Sequence, residues 1–454
     1  AHTMVQRSLL FVTTLFFATC IVIATVVPLE VVAREKKRCD GADSDDPCAS
    51  RAAKLLVAYG LIQGVPQTLV GAWLGGVADA RGPRLPMAVA CVGGAASAAA
   101  AAAYAWFELP FAALAASGAL FGLAGGYFGL LTAAYAYAAR APAAAAVEPS
   151  DSARGPEAAA TAGFRPIAVS LFGAFAAAPV AAGVAAARFG SAATLAAAAA
   201  AFLVSLAAVA FLVPPVAAKP AAGAPRGALA SLRDAGRGVA LLLSPSSPAF
   251  ALSVAWGLIM CNATGGGFVV QYLARTMSKG EVGLYASILG AMAAAGALIG
   301  EPLATRLAPG RDVNLALARC GPFCSGLLAL GLALVPPRAL GGKALFCLLP
   351  LAAPLAAANP AHRALVVEAI GESDAGKVLG GLGAVESLVG LVAPALLGAA
   401  YAALARAGRP AAANYPLVAT AAAAFALLVF APPRRKKLGG TLSEALLATD
   451  AISC

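Results

Sequence analysis

Apolar residues occupy this sequence in long stretches with few polar interruptions. Residues 9–28, 87–106 and 193–213 each approach or exceed the ~20 residues that an α-helix needs to cross ~30 Å of hydrocarbon. A helix on the surface of a soluble domain would show a polar stripe along one face. These stretches mostly lack one, so the pattern predicts membrane-spanning helices.

We predict about 12 such spans and hence an all-α integral membrane protein. A Pro/Ala/Gly-rich stretch at 214–247 separates six spans from six. The predicted domains are an N-terminal half (1–213), a linker (214–247), a C-terminal half (248–432) and a cytoplasmic tail (433–454). The spans lie near residues 8–30, 54–78, 85–106, 110–139, 164–187, 191–213, 248–273, 282–304, 313–335, 343–361, 377–404 and 412–431.

Composition supports the membrane class and argues against others. The chain is 61% hydrophobic and 12% charged, whereas soluble domains are about 25% charged. A net charge of +11 could indicate nucleic-acid binding. However, the basic residues form short clusters between spans, without interleaved aromatic residues. We also find no nucleophile–base pair, cofactor motif or metal-ligand pattern, so we expect no enzyme activity, cofactor or metal.

Charges between the spans suggest an orientation. An excess of Lys and Arg in cytoplasmic loops favours both termini inside, although the first outside loop carries four basic residues against this rule (Arg34, Lys36, Lys37 and Arg38). The same loop contains Cys39 and Cys48. If it faces an oxidising compartment, these two could form a disulfide.

The turn between the second and third spans contains a motif, GGVADARGPR over residues 75–84. It resembles the Gly-x-x-x-Asp-x-x-Gly-Arg/Lys signature of the major facilitator superfamily. Glycine permits a tight turn, and we expect Asp79 to cap the next helix and pair with a nearby cation. The resemblance implies a gate formed by Gly75, Asp79, Arg81, Gly82 and Arg84.

A degenerate copy of this motif, GEPLATR, occupies residues 300–306, at the matching place in the second half. Repeated halves are expected of the major facilitator fold. Glu301 and Arg306 are therefore further candidates for the gate.

Other segments resemble solute carrier family 46, which includes the proton-coupled folate transporter. They are GAW at 71–73, GGY at 125–127, PAHRA at 360–364 followed by Glu368, and AVESL at 384–388. The resemblance implies alternating access and proton-coupled import of an anionic, folate-like small molecule. The expected partners are that substrate, the proton and the lipid bilayer, in the plasma membrane or an endolysosomal membrane.

Some positions depart from that family. Acidic residues that the family carries in spans four and five fall on Arg140 and Ser170, and a histidine of its seventh span falls near Asn262. These losses motivate a non-transporting receptor or scaffold as one alternative. A weakened antiporter motif at 178–183, APVAAG, motivates a proton-coupled drug or metabolite antiporter as another, with a structural kink at Pro179 as its simpler explanation.

Ionisable residues inside a span are candidates for function because they are costly there. Glu386 could bind a proton in one conformation and release it in another, or be paired for structure. Arg363, near the predicted end of span ten, could bind a substrate carboxylate, pair with Glu386 or Glu368 as a gate, or extend to the headgroups. His362 and Arg319 are weaker candidates for the same pathway.

Uncharged polar residues could line a central cavity or link helices by hydrogen bonds. Gln63 and Gln67 are one helical turn apart on one face. The full set of these candidates is Gln63, Gln67, Tyr127, Asn262 and Tyr272.

Overall fold

The computed structural model describes most of the chain. The described residues are 2–38, 46–140, 156–216, 236, 238–264, 273, 277, 279–307, 312–335, 339–370, 375–407 and 409–430. Cys39, Tyr272 and the side chain of Cys48 lie outside this part, so the disulfide stays a prediction. The tail at 433–454 and most of the linker also lie outside it.

The described elements are all helical. In chain order they are α1 (His2–Arg38), α2 (Asp46–Arg81), α3 (Arg84–Trp106), α4 (Phe111–Leu123), α5 (Gly126–Arg140), α6 (Pro156–Phe189), α7 (Ser191–Phe211), α8 (Phe250–Thr264), α9 (Lys279–Leu307), α10 (Val313–Leu334), a 3-10 helix (Ala339–Leu351), α11 (Ala352–Ile370), α12 (Ala375–Arg406), a second 3-10 helix (Pro410–Asn414) and α13 (Tyr415–Phe430).

These helices provide the predicted spans. Eleven described segments are long and apolar enough to cross a membrane, and α8 is a shorter apolar helix at the position of the seventh span. The predicted all-α, multi-pass architecture is therefore confirmed. The fourth span is broken in two, because Gly125 and Gly126 have φ values of +80° and +51°, which glycine adopts without strain.

The tenth span differs from its prediction of 343–361. A 3-10 helix continues into α11, and the apolar segment extends from Ala344 to Ile370. His362 and Arg363 were expected near the helix end because charged residues usually mark a membrane boundary. That expectation is wrong, since both side chains lie within α11 and are buried.

Each half packs within itself, and the two halves meet along a few helices. Within the N-terminal half α3 packs on α7 and α1 on α6, and within the C-terminal half α10 packs on α11 and α13. Between the halves, α2 and α5 contact α12, while α6 contacts α9 and α11. Small residues allow this approach. A Cβ atom at Gly290 of α9 would lie 2.7 Å from the backbone nitrogen of Ala176.

Basic residues that opposed the predicted orientation are held in local ion pairs. Arg34 contacts Glu30 at 2.8 Å. The carboxylate of Glu35 lies 2.8 Å from Arg38 and 3.0 Å from Arg51, and so links α1 to the start of α2. Ion pairs therefore connect the end of α1 to the start of α2, and the orientation stays a prediction.

Candidate functional site

An ion pair between Arg363 and Glu386 lies buried in the C-terminal half. Arg363 Nη2 donates to Glu386 Oε1, and each side chain is 1% exposed. Glu386 follows the start of α12 at Ala375 by eleven residues, which is about 16 Å of helix rise. The pair thus lies deep in the hydrocarbon region, where an uncompensated charge is costly.

Three further side chains, Trp256, Asn359 and Tyr135, contact the ion pair. We call these three residues together with Arg363 and Glu386 the arginine cluster. Trp256 Nε1 donates to Glu386 Oε1 at 2.5 Å, and Arg363 Nε donates to Asn359 Oδ1 at 3.2 Å. The Tyr135 hydroxyl donates to the same Asn359 oxygen at 3.0 Å. The Arg363 guanidinium carbon lies 4.4 Å from the centre of the Tyr135 ring, a cation–π contact.

None of the three residues Trp256, Asn359 and Tyr135 was among the predicted site residues. Asn359 precedes Arg363 by four residues and therefore shares its helix face, which is a signal that could have been used. Trp256 lies in α8 and Tyr135 in α5, so their roles depend on packing between distant segments.

His362 lies beside this cluster but faces a different partner. Its Nε2 lies 2.7 Å from the Leu252 carbonyl oxygen, which can only accept, so Nε2 carries a hydrogen and donates it. The imidazole stacks on the Trp256 ring with 4.9 Å between centroids. It joins α11 to α8.

Several buried polar atoms here have no hydrogen-bond partner among the described residues. They are Arg363 Nη1, Glu386 Oε2, His362 Nδ1 and Ser387 Oγ. Such atoms are uncommon in folded proteins and normally find water or a ligand. The cluster therefore offers a cationic donor and carboxylate and imidazole acceptors to a small polar molecule or a proton.

The predicted gate motif lies where α2 meets α12. Asp79 accepts hydrogen bonds from the backbone N–H groups of Gly376 (3.0 Å) and Lys377 (2.7 Å), in the first turn of α12. Its carboxylate thus caps a helix N-terminus of the other half, where a negative charge is favourable. The next helix, α3, was the expected capping target of Asp79, whereas these two hydrogen bonds go to α12.

Glycine brings the two backbones together at this place. A Cβ atom at Gly75 would lie 2.7 Å from Gly380 Cα. Gly82 forms the turn with φ +87°, and Arg84 donates to the Val209 (3.0 Å) and Ala210 carbonyls at the end of α7. Arg81 is exposed.

The second copy of the motif also connects the halves. Glu301 of α9 pairs with Arg165 of α6 at 3.3 Å, and Arg306 is exposed. The Asp79 and Glu301 contacts lie at one end of the bundle, which we call the α2–α3 end. In the predicted orientation this end is cytoplasmic.

Two of the remaining candidates join helices of the C-terminal half, and the third, Tyr127, lies within electrostatic range of Glu386 and Arg363. Asn262 donates to Thr420 at 2.9 Å and Arg319 donates to the Leu428 carbonyl at 3.0 Å, so each links its helix to α13. The Tyr127 ring packs on Phe17 with 5.2 Å between centroids.

The two glutamines of α2 pack along the broken fourth span. A Cβ atom at Gly126 would lie 2.8 Å from Gln67 Cδ, and one at Gly122 would lie 3.1 Å from the Gln63 carbonyl carbon. Gln67 Oε1 is buried and has no hydrogen-bond partner among the described residues. Gln67 is therefore the polar candidate with an unmet hydrogen bond in the N-terminal half.

Comparison with known proteins identifies the fold. The structure is similar to the human organic anion transporter MFSD10 (TETRAN), with a TM-score of 0.68 and 18% identity over 94% of this chain and 99% of that one. It is similar to the E. coli fucose:proton symporter (TM-score 0.58, 14% identity, 93% and 97% covered). It also resembles a bacterial homologue of the iron transporter ferroportin in the outward-facing state (TM-score 0.65, 16% identity, 95% and 100% covered).

No protein-family model and no curated protein matches the chain by sequence. The solved structures named above are transporters of the major facilitator superfamily rather than enzymes. Their similarity covers nearly the whole length of both chains, and the fold is therefore the major facilitator fold of two six-helix halves.

Proposed function

We propose that this protein is a secondary active transporter that imports a small organic anion together with a proton. The observation that carries the proposal is the Arg363–Glu386 pair, buried at 1% exposure and accompanied by polar atoms that lack partners. Secondary transporters of this architecture bind substrate near the middle of the bilayer, between halves that rock against each other.

Competition for Arg363 would couple the two solutes. While Glu386 is ionised, it occupies the guanidinium. Protonation makes Glu386 neutral, and a substrate carboxylate can then take its place with two parallel hydrogen bonds. One proton and one negative charge thus enter together, so that no net charge remains buried at the site.

The contacts at the α2–α3 end supply the gate for this cycle. Asp79, Glu301 and the glycine contact at Gly75 close that end, so a substrate would enter from the opposite end. In the predicted orientation the structure is therefore the outward-facing state. Release to the cytoplasm requires Asp79 to leave the N-terminus of α12.

The substrate class rests on the cationic centre and on the family resemblance. A guanidinium in a dry site selects anions, and the resemblance to solute carrier family 46 favours a folate-like organic anion. MFSD10 is described as an organic anion transporter, which is in keeping with this class.

Uptake into proteoliposomes under an inward proton gradient tests the proposal, with radiolabelled organic anions including folates. Gradient-driven accumulation is expected, and Glu386→Gln should abolish its dependence on the gradient. Glu108→Gln is the matched control, because Glu108 forms an exposed ion pair with Lys37 at 3.3 Å.

Other outcomes would replace the proposal. Expulsion of preloaded drugs in exchange for protons, without anion uptake, would establish an antiporter. Folded protein that binds anions but moves nothing under any gradient would establish a receptor or scaffold.

A further inference from the structure

We infer that Tyr135 is a positioning residue that couples closure of the α2–α3 end to the hold of Arg363 on its anion. The inference rests on the proposed function for the anion. The part that concerns closure stands on the contacts of Tyr135 alone. Within the arginine cluster, Tyr135 is the member that belongs to the N-terminal half.

Tyr135 touches the C-terminal half in two ways. Its ring face covers the Arg363 guanidinium at 4.4 Å, and its hydroxyl donates to Asn359 Oδ1 at 3.0 Å. Asn359 Oδ1 also accepts from Arg363 Nε at 3.2 Å. A single amide oxygen therefore receives one donor from each half, and the position of Arg363 depends on both.

The neighbouring turns of α5 and α12 show that these contacts belong to the closed state. Thr132, one turn before Tyr135, donates to the Leu379 carbonyl of α12 at 3.4 Å. A Cβ atom at Gly383 would lie 2.7 Å from Thr132 Oγ1. When α5 separates from α12, Tyr135 must leave with it, because both residues lie on one rigid helix.

Separation of α5 from α12 changes the surroundings of the Arg363 guanidinium. The guanidinium loses the nearer of its two aromatic neighbours, the Tyr135 ring, and keeps Trp256 at 5.6 Å. Asn359 loses its second donor. Water can then reach the cation, and water weakens the attraction between a cation and a bound anion. Opening the α2–α3 end thus lowers the affinity for anion on the side where release occurs.

The chain offers a matched control for Tyr135. Tyr137 lies on the same helix, is 1% exposed, and donates to the Pro214 carbonyl at 3.2 Å. This bond runs to the first residue of the linker and does not involve the C-terminal half. Tyr137→Phe therefore removes an equivalent hydroxyl without touching the arginine cluster.

Hydrogen–deuterium exchange of the full chain in lipid nanodiscs tests closure without any substrate. The amides of Gly376 and Lys377 donate to Asp79 in the closed state, so exchange at the start of α12 reports opening. We expect Tyr135→Phe to accelerate it about threefold through loss of one hydrogen bond. Tyr135→Leu, which also removes the cation–π contact, should accelerate it about tenfold. Tyr137→Phe should leave it unchanged.

A double variant tests whether the effect of Tyr135 on exchange depends on its hydrogen bond to Asn359 Oδ1. Tyr135→Phe combined with Asn359→Ala should accelerate exchange no more than Asn359→Ala alone, because both changes remove the same bond. Fully additive effects, unchanged exchange in Tyr135→Leu, or equal acceleration in Tyr137→Phe would each overturn the inference. Should Tyr135→Leu fail to fold, the Phe variant decides.

Transport separates this inference from the proposed function. The apparent KM for outside anion is expected to rise about tenfold in Tyr135→Leu, with Tyr137→Phe as the reference. If exchange responds as expected while the unmodified protein transports no anion, the proposed substrate fails and the closure role of Tyr135 stands. An altered KM with unaltered exchange would refute the coupling.

Discussion

The two halves of the molecule place their charges in opposite ways. The described ion pairs within the N-terminal half lie at the end of α1. Arg34 pairs with Glu30 inside that helix, Glu35 pairs with Arg38 and with Arg51 of α2, and Lys37 pairs with Glu108. Its interior contacts are neutral, such as the Thr13–Ser170 hydrogen bond of 2.9 Å. The described interior of the C-terminal half holds Arg363 and Glu386 at 1% exposure.

The stability contributions of exposed and buried ion pairs differ in size. Exposed ion pairs contribute about 0–1 kcal/mol because water screens them. Removing one partner of a buried pair costs about 3–5 kcal/mol, because it leaves the other charge without compensation. We propose that the C-terminal half keeps its buried pair for transport, and that the N-terminal half contributes the contacts of the gate.

We expect the largest effect from Arg363→Gln, which removes the buried cation of the C-terminal half. Loss of the guanidinium leaves Glu386 buried without its cation. We expect the free energy of unfolding to fall by about 3–5 kcal/mol and anion uptake to be lost. Adding Glu386→Gln should restore much of the stability but no uptake. Differential scanning fluorimetry and proteoliposome flux measure the two effects. Wild-type stability in the single variant would show that the pair is not buried in the membrane.

Asp79→Asn tests the contribution of the N-terminal half to the gate. Asparagine can still accept a hydrogen bond, but the attraction between a negative charge and the α12 N-terminus is lost, about 1 kcal/mol. The α2–α3 end should open several times more often. The rate at which a hydrophilic maleimide modifies Lys377→Cys, with and without Asp79→Asn, reports this opening. Equal rates would assign closure to other contacts.

Glu301→Gln should have a smaller effect at the same end. Arg165 and Glu301 have side-chain exposures of 30% and 13%, so solvent screens their attraction, and we expect about 0.5 kcal/mol. A double-mutant cycle with Arg165→Gln, read out by the same maleimide rate, isolates the pair. A coupling as large as the Asp79 effect would mean that the degenerate motif is an equal partner in the gate.

The smallest effect is expected at the outer edge. Lys37 and Glu108 are 76% and 73% exposed, and Glu108→Gln should change stability by less than about 0.5 kcal/mol with unaltered uptake. Thermal denaturation and flux at two salt concentrations check it. Impaired uptake would contradict a purely structural role for edge charges.

The fold was predictable because a membrane tolerates few alternatives. Helices must satisfy their own backbone hydrogen bonds in lipid, so apolar runs predicted the spans, and the Gly-Gly pair at 125–126 marks the observed break. Span ten was misplaced because its charges resembled a boundary. Arg363 in span ten and Glu386 in span eleven were still recognised as candidates, because ionisable residues are rare within spans.

The partners of those residues were not predictable. Trp256 and Tyr135 reach the cluster from helices more than a hundred residues away from Glu386 in the chain, and only packing brings them together. The same holds for Asp79, whose capping partners lie in α12 rather than in the adjacent helix. Local sequence identifies a residue able to cap, but tertiary structure decides which helix it caps.

The glycine contact between Gly75 and α12 bears on how well the membrane stays sealed. Because backbone meets backbone there, closure leaves no gap between side chains through which a chain of water molecules could conduct protons. A single methyl group at position 75 would act as a wedge and hold a narrow wet path open. The substitution would then cause an ion leak that dissipates the gradient across the membrane, even when no substrate is present.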